Sequence, residues 1–287
     1  MSIRKILVPL TGEARDAPAL AVAFAVARRH QAHVLGLFVR SDPRTTLPYL
    51  GEGVSGAVIE DLMNASKEAS DQAEKAARAA FETAAGLAHV PVVAAPHGPG
   101  SASAMFRGVM GVLVAAVSEE ARLSDLVVFD RTREGDPGIP DAFEECLMAA
   151  GRPILLAPRE APADLGKRVT IGWDGSSEAA HAVREALPFL RAAEGVEILS
   201  VGPKPSGAEK TAPLLGYLAL HGVSASEHWV DPKGAAIGEV LLREAERGGA
   251  DLVVMGGYGH SRLREFIVGG ATRHILANAA LPVLIAH

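Results

Sequence analysis

The chain has 287 residues, 48% of them hydrophobic and 22% charged, with a formal net charge of −6 and a pI near 5.9. This leaves room for about two domains that each bury a core, and excludes the broad basic surface that nucleic acid binding requires. The one cysteine, Cys146, can make neither an internal disulfide nor a cysteine-based metal site, and the longest apolar runs, Ala19 to Ala27 and Gly108 to Val117, fall short of the ~18 residues that span a bilayer; a cytoplasmic protein with no membrane partner is expected.

The N-terminus, Met1 to Pro9, has charge followed by a short apolar run, with no longer apolar core or small-residue cleavage site behind it, so it reads as a first strand. Further strands are expected near 32–39, 90–95, 125–129 and 153–157 after the first at 4–8. Helices are expected over Ala17 to Arg29 and, after the loop Asp42 to Gly53, over an Ala/Glu/Lys-rich stretch from Gly56 to Ala88. Cys146 reads as a small buried hydrophobe on the segment Ala142 to Ala150. The pairs Glu119-Glu120 and Glu144-Glu145 read as exposed helix charges, because adjacent helical residues diverge by about 100°. Pro158 to Asp164 interrupts both periods and reads as a linker. Beyond it, strands are expected near 168–173, 196–201, 223–230, 251–255 and 282–286, with helices near 177–194, 210–221, 236–248 and 270–280. Short β-branched runs alternating with helical patterns predict parallel sheets covered by helices on both faces.

The chain repeats itself. Ile6 to Gly12 matches Val169 to Gly175, Asp125-Leu126-Val127-Val128 recurs as Asp251-Leu252-Val253-Val254, and Arg152 to Leu156 recurs as Leu281 to Ile285. The expectation is an α/β protein of two tandem doubly wound domains, 1–160 and 168–287, each with five parallel strands. The offset between the copies falls from 163 at the first strand to 126 at the fourth, so the first copy carries 37 extra residues, much of it in the loop and long helix after Arg40.

The most specific stretch is Met255-Gly256-Gly257-Tyr258-Gly259, followed by Gly269-Gly270-Ala271-Thr272 at the start of the last helical segment. Glycines there allow close backbone approach, and the helix start offers unpaired N–H groups and a positive dipole end, which together make a phosphate cradle. The spacing is Gly, two residues, Gly, nine residues, Gly, which is neither the P-loop nor the compact dinucleotide turn. It resembles the ATP-binding signature of the universal stress protein family, and the tandem form of that family over essentially the whole chain. In the family the last glycine is followed by Ser or Thr; here Gly270 stands there, with Thr272 two residues on.

The resemblance implies strand order 3-2-1-4-5 in each domain and a ligand crevice where the winding reverses. It implies that Asp174 contacts the adenine edge, that Gly172 stands at the family's small-residue position, and that Val201 packs on the base beside Met255. Gly256 and Gly259 would admit the ribose and phosphates, while Gly269, Gly270, Ala271 and Thr272 would hold the phosphate chain. Asp174, followed by Ser176 and Ser177, is also a good helix N-cap. His260, Arg262 and Arg264 read as phosphate-reaching side chains or as solvated loop charges, and Trp173 as a core or interface aromatic rather than a stacking platform. The first copy has Asp130 and Arg133 in place of Gly256 and Gly259, and a carboxylate repels phosphate, so only the second copy is expected to bind ATP, with or without magnesium.

No nucleophile elbow, zinc motif or Cys–His pairing occurs, and the glycine loop has no lysine. The expectation is a cytoplasmic stress-response or signalling module with at most very slow ATPase activity and a protein partner of unknown identity. The alternatives are a nucleotide-independent scaffold or small-ligand sensor, with a pocket from Leu47 to Val58 and the long helix, and an ATP-consuming enzyme, which lacks its Ser-Gly-Gly-x-Asp-Ser type loop here. The final strands, around Ile154 to Ala157 and Val283 to Ala286, are exposed edges unless they pair; single-domain relatives dimerise there, which implies an intramolecular pseudo-dimer and leaves homodimerisation open.

Overall fold

The computed structural model describes residues 2–41, 56–96, 98–130, 138–162, 165–202, 211–257 and 270–287. The first half runs β1 (Lys5–Leu10), α1 (Asp16–His30), β2 (His33–Arg40), α2 (Gly56–Leu87), β3 (Ser103–Met110), α3 (Leu113–Ala121), β4 (Leu126–Phe129), α4 (Ile139–Met148) and β5 (Ile154–Leu156). The second runs β6 (Arg168–Gly172), α5 (Ser177–Leu190), β7 (Gly195–Val201), α6 (Ala212–Leu220), β8 (Ser226–Val230), α7 (Ile237–Arg247), β9 (Leu252–Gly256), α8 (Gly270–Asn278) and β10 (Val283–Ala286).

The ten strands of the described residues form one sheet in the order β3-β2-β1-β4-β5-β10-β9-β6-β7-β8, so each half is parallel in the order 3-2-1-4-5. The halves join where β5 and β10 pair antiparallel, Val283 opposite Leu156 and Ile285 opposite Ile154. The physical cause is burial: Ile154, Leu155, Val283 and Leu284 have no exposed surface, and an unpaired edge made of such residues would leave backbone groups in apolar surroundings without partners.

Side chains alternate between two cores along each strand. Ile6, Val8, Val169, Ile171 and Leu284 enter the layer shared with α1, α2, α5 and α6. Leu7, Val127, Val253, Met255 and Ile285 enter the layer shared with α3, α4, α7 and α8. Burial on both faces is why these strands read as near-continuous apolar runs.

The third strand of the first half lies elsewhere than the apolar run 90–95 suggests. It is β3, in register with β2 from His33 opposite Ser103 to Arg40 opposite Met110. The expected segment makes a single bridge, Val92 to Ala104, outboard of β3. Pro91 offers no N–H to a ladder and Pro96 stops the run. β3 was inconspicuous because it contains Arg107 and Gly108, yet both are accommodated: Arg107 reaches Glu120 on α3, and a Cβ on Gly108 would sit 2.5 Å from the Glu74 carboxylate on α2.

Glu120 is thereby a correction as well. Its carboxylate bridges Arg107 and Lys5 Nζ, the latter at 2.5 Å, and is only 17% exposed, whereas Glu119 is exposed as expected. Across the linker, Arg29 at the end of α1 donates to the Leu165 carbonyl at 2.7 Å and the Ala192 carbonyl at 2.6 Å, tying the first half to the second.

Candidate functional site

In the second half the chain winds from β6 outward to β7 and β8, then returns to β9 on the other side of β6. In doubly wound sheets such a reversal is where a ligand crevice forms, beyond the carboxyl ends of the strands, here β6 and β9, whose last paired residues are Gly172 and Met255. Asp174 follows β6 and Gly257 follows β9 at this end of the sheet.

The turn after β6 is built by its own polar groups. Asp174 is exposed, and its Oδ1 accepts the Ser176 N–H at 2.9 Å; Gly175 takes the left-handed backbone, φ +82°, that this turn needs. Ser176, not Asp174, caps α5, its hydroxyl accepting the Ala179 N–H at 3.1 Å.

The apolar side of the crevice comes from three strands and α7. A Cβ on Gly172 would lie 3.0 Å from Leu241, and Met255, 6% exposed, and Val201 pack in the same layer as Leu241. Leu241 had no marker in the sequence beyond its place on an amphipathic helix.

Gly256 has a packing role of its own. A Cβ there would stand 2.5 Å from the Ala179 backbone nitrogen and 2.7 Å from the Glu178 carbonyl carbon, so the first turn of α5 needs this glycine whatever binds nearby. Gly257 donates to the Ala286 carbonyl at 2.9 Å, and its own carbonyl accepts from His287 Nδ1 at 3.0 Å.

Gly270 opens α8, is exposed, and would have nothing within 4 Å of a Cβ. The first N–H groups of a helix have no intrahelical acceptors, so Gly270 and Ala271 present donors at this end. Thr272, two residues on, is 4% exposed. Gly259, Gly269, His260, Arg262, Arg264 and Arg133 lie outside the described residues.

The corresponding place in the first half is constructed differently. Thr11 stands where Asp174 stands, and the buried Asp16 turns back to accept the Gly12 N–H at 2.7 Å and the Thr11 hydroxyl at 2.8 Å. Burial raises the Asp16 pKa, against the lowering effect of the Thr11 and Gly12 hydrogen bonds and of Arg15. Helix α2 lies over Gly12, and Asp130 sits 3.7 Å from Arg15 Nε.

Fold and site together define a doubly wound α/β protein of two repeated units with a crevice at the winding reversal of the second. Residues 230–287 match the universal stress protein family. A universal stress protein of Synechocystis is 39% identical over 151 residues, 50% of this chain and 49% of that protein, so the chain spans about half the length of the curated relative it matches. A universal stress protein structure from Archaeoglobus fulgidus aligns with TM-score 0.68 over 98% of this chain and 97% of its own, at 14% identity. A Pseudomonas aeruginosa structure assigned to the same proteins aligns with TM-score 0.57 over 99% and 93%, at 17% identity. Residues 230–287 are thus similar to the universal stress protein family, and the whole chain shares the fold of the Archaeoglobus fulgidus structure.

Proposed function

We propose that this chain is a cytoplasmic stress-response or signalling module that binds ATP in its second half and hydrolyses it slowly or not at all. The observation that carries the reading is the meeting of Gly172, Asp174 and Met255 at the one point of the second half where the winding reverses. The donor set fits the ligand: an exposed carboxylate suits the adenine amino edge, Val201 and Met255 suit the base, and the open helix start at Gly270 suits a phosphate chain. Bound ATP would supply the triphosphate charge, with magnesium as a counter-ion where present. Asp174 would orient the base, and the α8 N–H groups would hold the phosphates.

Calorimetry of the full chain with ATP and magnesium tests this directly. One site per chain is expected; two equivalent sites, or no heat at millimolar nucleotide, would overturn the reading. Gly270→Asp, which has free space for its side chain, should weaken binding about tenfold or more by placing a carboxylate among the phosphate donors.

A second reading, a nucleotide-independent sensor of small apolar ligands in the first half, is favoured by one observation. A groove of about 600 Å³ runs between α1 and α2, lined by Ala21, Phe24, Ala84 and Leu87. It lies at the C-terminal end of α2; of the Leu47 to Val58 stretch once expected to form it, 47–55 lie outside the described residues.

A further inference from the structure

A second concavity of the C-terminal half lies on the face of the sheet opposite the crevice just described. It runs between α5 and α6, against the layer containing Val183 and Leu214, whereas Leu241 and Met255 belong to the other layer. Its volume is about 560 Å³, within the usual range for small-molecule sites.

The lining is chemically selective. Trp173, from the end of β6, and Tyr217, from α6, bring two aromatic rings to it from separate elements, both partly buried against the core. Arg184 brings a cation that is already oriented. Its Nη2 donates to His181 Nε2 at 2.8 Å and to Glu185 Oε1 at 3.1 Å, and its Nε donates to the same oxygen at 3.3 Å. His181 in turn donates from Nδ1 to the His287 carbonyl, so Arg184 is braced from both sides. The guanidinium side chain remains 55% exposed, and Nη1 makes no hydrogen bond among the described residues. A fixed guanidinium edge beside aromatic rings matches a planar anion: the rings stack or meet edge to face, and the carboxylate accepts from the fork.

The groove recurs in the repeat, which separates what the fold supplies from what this half adds. At the offset of 163, Ala180, His181 and Arg184 correspond to Ala17, Pro18 and Ala21, and those three line the α1–α2 groove of about 600 Å³. The concavity is common to both halves; Arg184 and the Trp173–Tyr217 walls belong to the second, whereas the first-half groove is lined by Phe24 and, at a different position, Arg28.

We propose that the α5–α6 groove is a binding site for a planar aromatic carboxylate of one or two rings, seated between Trp173 and Tyr217 with its carboxylate on Arg184.

The test is calorimetric titration of the full chain with 2-naphthoate, where saturable one-to-one binding with a Kd of about 0.1–1 mM is expected for a ligand of this size. Arg184→Gln should weaken 2-naphthoate about tenfold while changing the neutral 2-naphthamide by about twofold at most. Ala180→Phe, which fills the groove, and Tyr217→Ala, which removes one wall from the other helix, should each weaken both probes about tenfold or more, thermal unfolding confirming that the variants are folded. Ala21→Phe in the equivalent groove of the first half, and saturating ATP, should leave binding in place. Absence of saturation by about 10 mM, equal loss of both probes in Arg184→Gln, loss in Ala21→Phe, or displacement by ATP would each overturn the assignment.

Discussion

Gly12 and Gly175 hold the same left-handed turn, φ +81° and +82°, at the ends of β1 and β6, but only Gly12 is covered by a helix. At Gly175 a Cβ would meet nothing within 4 Å; at Gly12 it would fall on the Ala73 carbonyl of α2. The extra residues of the first half thus end up closing the turn that the second half leaves open.

Substitution should separate backbone strain from overlap at this pair. Gly175→Ala should cost about 1 kcal/mol, the strain of a side chain in left-handed backbone. Gly12→Ala should cost about 3 kcal/mol or more, because α2 must also move. Urea unfolding measures both, and equal costs would contradict the close packing of α2.

Gly256 and Gly270 should part in the same way within the second half. Gly256→Ala is expected to destabilise the protein by about 2–3 kcal/mol, since its Cβ meets the α5 backbone. Gly270→Ala should leave stability unchanged or raise it by about 0.5 kcal/mol, a helical alanine with open space around it. Denaturant midpoints distinguish the outcomes.

His30 should make stability fall in mildly acidic solution. It ends α1, its Nε2 is buried without a partner among the described residues, and its ring meets the edge of Phe189 in the second half at 5.4 Å. Burial, with Arg29 and Arg4 nearby, lowers its pKa to about 4. The folded value lies below the unfolded value, so the unfolded chain takes up the proton first. The contribution is complete above pH ~6.5 and is lost as pH falls toward 4. His30→Gln should flatten the urea midpoint between pH 7 and about 5 relative to the parent chain; parallel curves would rule out this source.

Cys146 should resist thiol reagents while the protein is folded. It has no exposed surface, and burial, then Glu145, raises its pKa to about 12, so the reactive thiolate is scarce. Labelling at neutral pH should require denaturant; rapid labelling of the native chain would place the residue in an open environment.

Hydrolysis of ATP should be far slower than the ~1–100 per second of ordinary kinases, given a glycine loop without lysine and Gly270 in place of the usual hydroxyl. Phosphate release with magnesium, compared with a bulky substitution at Gly259, is expected well below about one per minute. Turnover faster than about one per second that vanishes in the variant would make the protein an enzyme.

Much of this architecture was legible because both sheet faces are buried, which writes strands as apolar runs, and because the repeat supplied each strand with a second copy. Ile154 to Leu156 and Val283 to Ala286 were readable as joining edges for the same reason. β3 was not, because its strand quality depends on tertiary partners: Arg107 is neutralised by Glu120, and Gly108 is occupied by α2. Asp174 and Gly256 could be placed at one end of neighbouring strands from the strand order that the family resemblance implies, whereas the packing duty of Gly256 and the burial of Thr272 depend on how α5 and α8 sit, which spacing does not reveal. The α5–α6 groove escaped notice because Trp173, Arg184 and Tyr217 are scattered over three elements without a motif.

The antiparallel joint of β5 with β10 imitates a two-fold axis using two strands of different sequence. In a true homodimer every substitution is made twice, so neither side of such an axis can change alone. Here each side is encoded separately. One half can therefore give up an open turn and gain a 32-residue helix while the other keeps its glycines, and β5 and β10 still pair.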